Sequence, residues 1–311
     1  MADGMKQQIQ RAGFVTLLGR PNVGKSTFLN QVLGVKLSAV TPRPQTTRNR
    51  IIGIHDLPDA QLVFIDTPGI HRPRRALNQA MVEAAWATIA DADAGVLLVE
   101  ASPLPADLRF APGKANEAII ERLTARQLPC ILAINKVDRV IPPHLLPMID
   151  TYRKLYPFTE IVPICARTGE GVAEVLRALV PLLPEGPRLF PEDQLSDRAQ
   201  RFFAAELIRE QIFLLLEDEV PYGCAVKVDR FHEPKRSELR VEIEATIVVE
   251  EARHKAILVG KGGSRIKELG MRSRSSLEEL CGRGVILRLY VRAQPGWSDD
   301  PQAVRELGYE Q

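Results

Sequence analysis

Cysteine is scarce, and what there is stands alone: Cys130, Cys165, Cys224 and Cys281 form no CxxC pair and no Cys/His spacing for a metal. Neither a disulfide framework nor a zinc site follows, and each thiol reads as a small buried hydrophobe. Long hydrophobic runs are missing too. Residues 94–99 and 161–164 are among the longest, far short of the ~20 residues a bilayer span needs. The opening MADGMKQQIQR carries no apolar signal region, so a cytosolic protein is expected. No repeat or low-complexity tract appears. The charge, 41 Lys+Arg against 39 Asp+Glu, is too even to name a partner, so any nucleic-acid surface must show as local segregation. A chain of 311 residues exceeds a typical single domain and predicts two.

From residue 14 to about 183, short β-rich runs alternate with helical stretches, the pattern of βαβ units around a mostly parallel sheet. Strands are predicted at 15–18, 51–55, 62–66, 95–100, 131–135 and 161–165, with helices starting at Lys25 and near Asn78, Lys114, Pro143 and Gly171. Proline then accumulates and periodicity is lost, which predicts a first domain over 1–184, a linker over 185–195 and a second domain over 196–311. The second part reads as an amphipathic helix (198–216), strands near 225–231 and 239–249 joined by HEPKRSE, a short helix (251–258), the loop GKGG, helices from Ser264 and from Ser273, and a last strand (285–291). After Trp297 the polar tail is expected to be loosely held.

The first predicted strand runs into Gly19-Arg20-Pro21-Asn22-Val23-Gly24-Lys25-Ser26, followed by Thr27, and fits GxxxxGK[ST] at every fixed position. Backbone N–H groups must converge on phosphate oxygens here, and glycine lets the chain approach closely while turning from strand to helix. The helix N-terminus faces the anion, Lys25 reaches the β- and γ-phosphates, and the Ser26 hydroxyl suits Mg²⁺. Asp66-Thr67-Pro68-Gly69 ends a strand about 40 residues after Ser26, placing its carboxylate on the Mg²⁺ side; a strand-end Asp can also be a simple turn cap. Asn135-Lys136-Val137-Asp138 adds the decisive element, because NKxD offers a carboxylate that accepts from both guanine N1–H and N2–H₂, which adenine cannot supply. Residues 41–49, TPRPQTTRN, lie where a switch loop is expected, and Thr47, with Thr46 close behind, would complete the Mg²⁺ shell and sense the γ-phosphate. Lys25, Thr47 and Gly69 are the candidate catalytic residues.

With GRPNVGKS, QTTRN, DTPG and NKVD in this order, residues 12 to 183 resemble the translation-factor-related GTPases of the Era, MnmE and EngA group. The resemblance implies GTP and GDP as ligands. It places the base-binding loop at Cys165-Ala166-Arg167, where the family usually has Ser-Ala, with the Ala166 N–H toward guanine O6. Ile70 follows DTPG where Ras-like GTPases carry a water-positioning glutamine, so intrinsic hydrolysis should be slow unless another group stabilises the transition state. In related GTPases the asparagine matching Asn22 helps hold K⁺ near the phosphates; Arg43, Arg48, Arg72, Arg74 and Arg75 are alternative sources of that charge.

In the second part, Gly260-Lys261-Gly262-Gly263, followed by Arg265 and Lys267, matches a GXXG loop between two helices, a turn whose N–H groups and Lys261 can meet nucleic-acid phosphates. Between Arg253 and Arg292 ten basic residues stand against Glu268, Glu278 and Glu279, an excess of about +7. The α-β-β-α-α-β order resembles the type II KH domain of the Era family, so the fold class expected is an α/β P-loop GTPase domain followed by an α+β type II KH domain. What the resemblance implies is a monomeric GTPase switch in assembly of the small ribosomal subunit, bound to 16S ribosomal RNA near its 3′ end, with peripheral association with the cytoplasmic face of the cell membrane as a family trait. Two other classes stay open: a P-loop phosphotransferase, and an RNA-binding protein whose nucleotide is only structural.

Overall fold

Parallel strands can be neighbours only if each connection crosses the sheet, and the alternating sequence supplies those crossovers as helices. The computed structural model of the protein describes residues 10–43, 46–67, 86–102, 111–235 and 240–309. Strands β1 (Arg11–Leu18), β2 (Ile51–Asp56), β3 (Ala60–Asp66), β4 (Ala94–Glu100), β5 (Cys130–Asn135) and β6 (Glu160–Pro163) form one sheet in the order β2-β3-β1-β4-β5-β6. Only β2 runs antiparallel to its neighbour. Strand β3, AQLVFID, is buried at every position, as a strand covered on both faces must be. Helices α1 (Lys25–Leu33), α2 (Lys114–Arg126) and α3 (Leu145–Leu155) lie in connections between strands, and α4 (Val172–Leu179) follows β6. On one side Leu97, Val99, Leu132 and Ile134 pack with Ile119, Leu123, Met148 and Tyr152. The helix expected near Asn78 starts outside the described residues; residues 86–91 are helical and lead toward β4.

By packing, the chain divides into two units. Of the described residues, the first holds those up to Gly34, 50–67 and 86–197; the second holds Val35–Asn49 and the chain from Arg198. The proline-rich stretch 185–195 is fastened to the first unit rather than spanning open solvent. Gly186 N–H donates to Gln10 O at 3.0 Å and Ile54 N–H to Leu195 O at 2.9 Å. The buried Gln61 amide accepts from Leu189 N–H (2.8 Å) and Phe190 N–H (2.9 Å) and donates to Phe190 O at 3.0 Å.

In the second unit β7 (Cys224–His232), β8 (Val241–Val249) and β9 (Val285–Ala293) make a three-stranded sheet, β7/β8 antiparallel and β8/β9 parallel. Helices α5 (Gln200–Leu215), α6 (Ala252–Val259) and α7 (Ser264–Cys281) complete the α-β-β-α-α-β order. Three expectations need correction. First, α5 is not amphipathic in use: Glu206, Arg209, Glu210 and Gln211 are buried with its apolar residues. Its charges are paired, Glu206 with Arg209, and Glu210 with Lys36 of Val35–Asn49 at 2.7 Å. Second, α7 is one continuous helix, because Leu269, Ser273 and Leu277 repeat at four-residue spacing and keep one stripe buried straight through Gly270. Third, the tail after Trp297 is packed. Trp297 is fully buried, stacks on Tyr309 and donates its indole N–H to Gly223 O at 3.1 Å. Helix α8 (Pro301–Glu306), capped by Asp300, brings Ala303 and Val304 against Ala225 and Val248.

Trp297→Ala is therefore expected to cost the second unit about 3–5 kcal/mol, the usual penalty for truncating a buried aromatic. Chemical denaturation would read this directly, and a loss under ~1 kcal/mol would mean that the tail is held loosely after all.

Candidate functional site

In the first unit the loop from Gly19 to Gly24 joins β1 to α1, with Arg20 and Asn22 exposed, Pro21 half-buried and Val23 buried. Asn22 (φ 63°) and Gly24 (φ 104°) both take left-handed backbone, a conformation that in such loops lets successive N–H groups line an anion-binding hollow. Gly24 cannot be replaced: a Cβ there would lie 2.2 Å from Asn135 Nδ2. Lys25, Ser26 and Thr27 open α1. The Lys25 ammonium folds back over the loop, donating to Gly19 O at 3.1 Å and Arg20 O at 3.2 Å. Burial pushes its pKa down to about 8 against the opposing pull of the Asp66 carboxylate, so an anion in the hollow would restore what desolvation takes away.

Asp66, at the end of β3, is fully buried and accepts from Ser26 Oγ at 2.7 Å. Thr67 fastens this strand end by donating to Leu17 O at 2.9 Å. A serine hydroxyl and a carboxylate oxygen in contact are hard oxygen donors that fit Mg²⁺, and they are the pair that sequence spacing selected. Pro68, Gly69, Ile70, Arg72, Arg74 and Arg75 lie outside the described residues.

At the other end of the hollow, Asn135 joins three loops. Its Nδ2 donates to Val23 O at 2.7 Å, and its Oδ1 accepts from Lys136 N–H at 2.8 Å and Ala166 N–H at 2.9 Å. The N–H expected to meet guanine O6 is here donated to Asn135 Oδ1, which ties the base loop to NKVD. Lys136 takes left-handed backbone and pairs through its amine with Glu100 at 2.9 Å. Asp138 is exposed, as a base-reading carboxylate must be. Cys165 donates its S–H to Asp138 Oδ1 at 3.3 Å and Arg167 reaches Oδ2 at 3.0 Å; these contacts, the thiol's first, hold the carboxyl below its ordinary pKa. Arg167 and Glu100 were not selected from the sequence. The cation directly after Cys165-Ala166 was a usable signal, whereas Glu100 becomes a neighbour of Lys136 only because β4 and β5 pair in parallel.

The switch threonines are not in this unit. Thr46 and Thr47 are buried and belong by packing to the second unit, with the Thr46 hydroxyl bonded to Thr41 Oγ1 at 2.6 Å and Arg43 O at 2.9 Å. Arg48 is buried there too, which removes it from the exposed cations that could serve a phosphate. In the same unit, Gly260, Lys261, Gly262 and Gly263 form a tight turn between α6 and α7, closed by Gly263 N–H on Gly260 O at 3.1 Å. Lys261, Gly262, Arg265 and Lys267 are exposed, and Gly262 (φ 59°) needs its left-handed backbone. The basic excess is partly spent on ion pairs: Arg253, Arg272, Arg283 and Arg288 pair with Glu251, Glu268, Glu233 and Glu244.

Both sites have counterparts. The family model described as "50S ribosome-binding GTPase" matches residues 14–136, and a KH domain model matches residues 219–298. The GTPase Era of Geobacter metallireducens is 47% identical over 299 residues, covering 96% of this chain and 98% of that protein. The GTPase Era of Geotalea daltonii is 44% identical over 306 residues, covering 98% of this chain and all of its own. Among solved structures, a tyrosine-to-alanine variant of Aquifex aeolicus Era bound to GDP·AlF4⁻ matches with a TM-score of 0.89 at 37% identity over 97% of this chain and 100% of that one. Era in complex with MgGDPNP and nucleotides 1506–1542 of 16S ribosomal RNA matches with the same TM-score, identity and coverage. A phosphate loop, an NKxD loop tied to it through one asparagine, and a GXXG turn in a separate unit, in a chain similar end to end to these proteins, make it a member of the Era family of GTPases.

Proposed function

We propose that the protein is a GTP-hydrolysing switch that binds 16S ribosomal RNA near its 3′ end and acts in assembly of the small ribosomal subunit. The observation that carries the nucleotide half is the asparagine clamp, which fixes the phosphate loop and the guanine-reading carboxylate of Asp138 in one frame. Gly19 to Thr27 cradle the phosphates and Lys25 neutralises charge on the transferred group. Ser26 and Asp66, with Thr47 in the GTP-bound state, would hold Mg²⁺, which would supply positive charge to the phosphates, and Gly69 stands with Lys25 and Thr47 as a catalytic residue. Asn135, Lys136, Asp138, Cys165 and Ala166 enclose the base. With Ile70 after DTPG, the missing stabilisation is assigned to K⁺ held through Asn22. The RNA half rests on the exposed GKGG turn with Arg265 and Lys267 behind it, and on the relative solved with 16S ribosomal RNA nucleotides.

The protein works as a monomer in the cytoplasm. Membrane association, where it occurs, is peripheral and on the cytoplasmic face; among the described residues no helix is long and apolar enough to cross a membrane. The phosphotransferase alternative has no use for an NKxD carboxylate, and the structural-nucleotide alternative predicts equal RNA affinity with GTP and GDP.

Asp138→Asn should weaken GTP binding roughly 10- to 100-fold, because the amide offers a donor where guanine needs an acceptor, and raise affinity for XTP. Equal GTP affinity with no gain for XTP would contradict the base assignment. Replacing KCl by NaCl should slow GTP turnover several-fold at unchanged GTP affinity, and a rate indifferent to the cation would remove K⁺ from the mechanism. The double substitution Lys261→Asp with Gly262→Asp should abolish binding of a 16S 3′-end oligonucleotide at moderate salt while leaving GTP affinity intact, through like-charge repulsion and strain at Gly262. Wild-type RNA affinity in a filter-binding assay would rule out reading through this turn.

A further inference from the structure

An ionised carboxylate only accepts hydrogen bonds, and both oxygens of Asp138 are engaged by neighbours on one turn. Oδ1 accepts from the Cys165 thiol at 3.3 Å and Oδ2 from the Arg167 guanidinium at 3.0 Å. The two donors differ in how firmly they are held. Cys165 is 1% exposed and pinned through its backbone: its N–H donates to Glu170 O at 2.9 Å, and its carbonyl accepts from Thr168 N–H at 3.1 Å and Gly169 N–H at 2.9 Å. Its thiol therefore floors the carboxylate from within the protein. Arg167 stands on the same turn, but its side chain is 77% exposed, so it reaches the carboxylate from solvent.

Solvent is also the side from which a base must arrive. Guanine's N1–H and N2–H₂ are two arms of a guanidine built into the ring, and Arg167 carries the same group, planar and with parallel N–H donors matched to a carboxylate. We propose that Arg167 is an internal competitor of guanine for Asp138, a residue that sets the affinity and entry rate of guanine nucleotides by holding one of the two oxygens the base needs. This competition presupposes the base-reading role of Asp138 given above. Cys165 has no need to step aside, because each carboxylate oxygen has two lone pairs and a thiol beneath Oδ1 leaves one for the base. At Oδ2 the guanidinium and the base come from the same side, and sharing that oxygen would set their N–H donors, one group cationic, against each other. Displacing Arg167 is easy, since an exposed ion pair is weak, so it delays the nucleotide without excluding it. A site that is competent for only part of the time loses affinity by that fraction, here about 2- to 5-fold. The loss falls on association, because Arg167 must leave before the base is seated.

Stopped-flow binding of a GDP that carries a fluorophore on its ribose to the full chain measures both rates. Arg167→Ala should raise the association rate constant about 2- to 5-fold, leave the dissociation rate constant within ~1.5-fold, and lower Kd by the factor gained in association. A role in stacking on the base or bracing the turn predicts the reverse, faster dissociation and weaker binding. That result would overturn the competition, as would unchanged rates. Asp138→Asn separates the two readings. If it leaves GDP affinity unchanged, the base-reading role fails and the competition with it; if it weakens GDP binding while Arg167→Ala brings no faster association, the competition alone fails. Should Arg167→Ala lower the melting temperature, Arg167→Gln decides, since it keeps the side-chain stem on the turn and removes the cationic fork. Its association rate must rise as well, and an unchanged or slower rate counts against the competition.

Discussion

One side-chain amide sets the geometry of the nucleotide site. Asn135 gives its hydrogens to the phosphate loop at Val23 and takes hydrogens from Lys136 and Ala166 on its oxygen, so three loops that rise from β1, β5 and β6 are fixed by a single planar group. A planar amide has little freedom to do this approximately. The demand propagates: Gly24 must lack a side chain because the amide fills that space, and Lys136 must take left-handed backbone to bring its N–H round. Loops that would otherwise be surface connections become a frame in which phosphate and base are read at a set separation.

What the sequence revealed of this site follows from how locally each part is encoded. The phosphate loop, DTPG and NKVD are short runs whose chemistry depends on adjacent residues, and the parallel order of strands brings their ends to one edge of the sheet. Ser26 and Asp66, both expected on the Mg²⁺ side, are hydrogen-bonded to each other because they sit at helix and strand ends whose positions the sheet dictates. Contacts that depend on partners far along the chain were not legible. The burial of Glu206, Arg209 and Glu210 on α5 cannot be read from a helical wheel, since the groups that cover them come from residues 35–49 and from Tyr309. Polar residues at helical spacing say "exposed" until something packs on them.

The same limit explains the tail and α7. Composition after Trp297 is polar, and composition is what a loose segment and a capped short helix have in common; the difference lies in Trp297 finding Gly223 O and Tyr309. The sequence reading began a second helix at Ser273, yet α7 continues straight through Gly270, since a glycine in a helix costs only ~1 kcal/mol and Leu269, Ser273 and Leu277 keep one buried stripe. The GKGG turn was legible because its geometry is demanded by the turn itself. The basic excess around it overstated the free charge, because glutamates pair with four of its arginines, two of them, Glu233 and Glu244, distant in sequence.

The placement of Val35–Asn49 also bears on the order in which the chain acquires its structure. Val40 and Glu210 are 170 residues apart in sequence, and Arg48 and Cys224 are 176 apart. Both pairs are hydrogen-bonded, and closing loops of this length costs only about 1 kcal/mol more than the nearer pairings of β1 with β3 and β4, at ~0.6 kcal/mol per doubling. While a nascent chain contains only the first unit, this segment has none of its partners and its arginine remains in water. The contacts that hold this segment therefore require chain from Arg198 onward, whereas the sheet and phosphate loop require none of it.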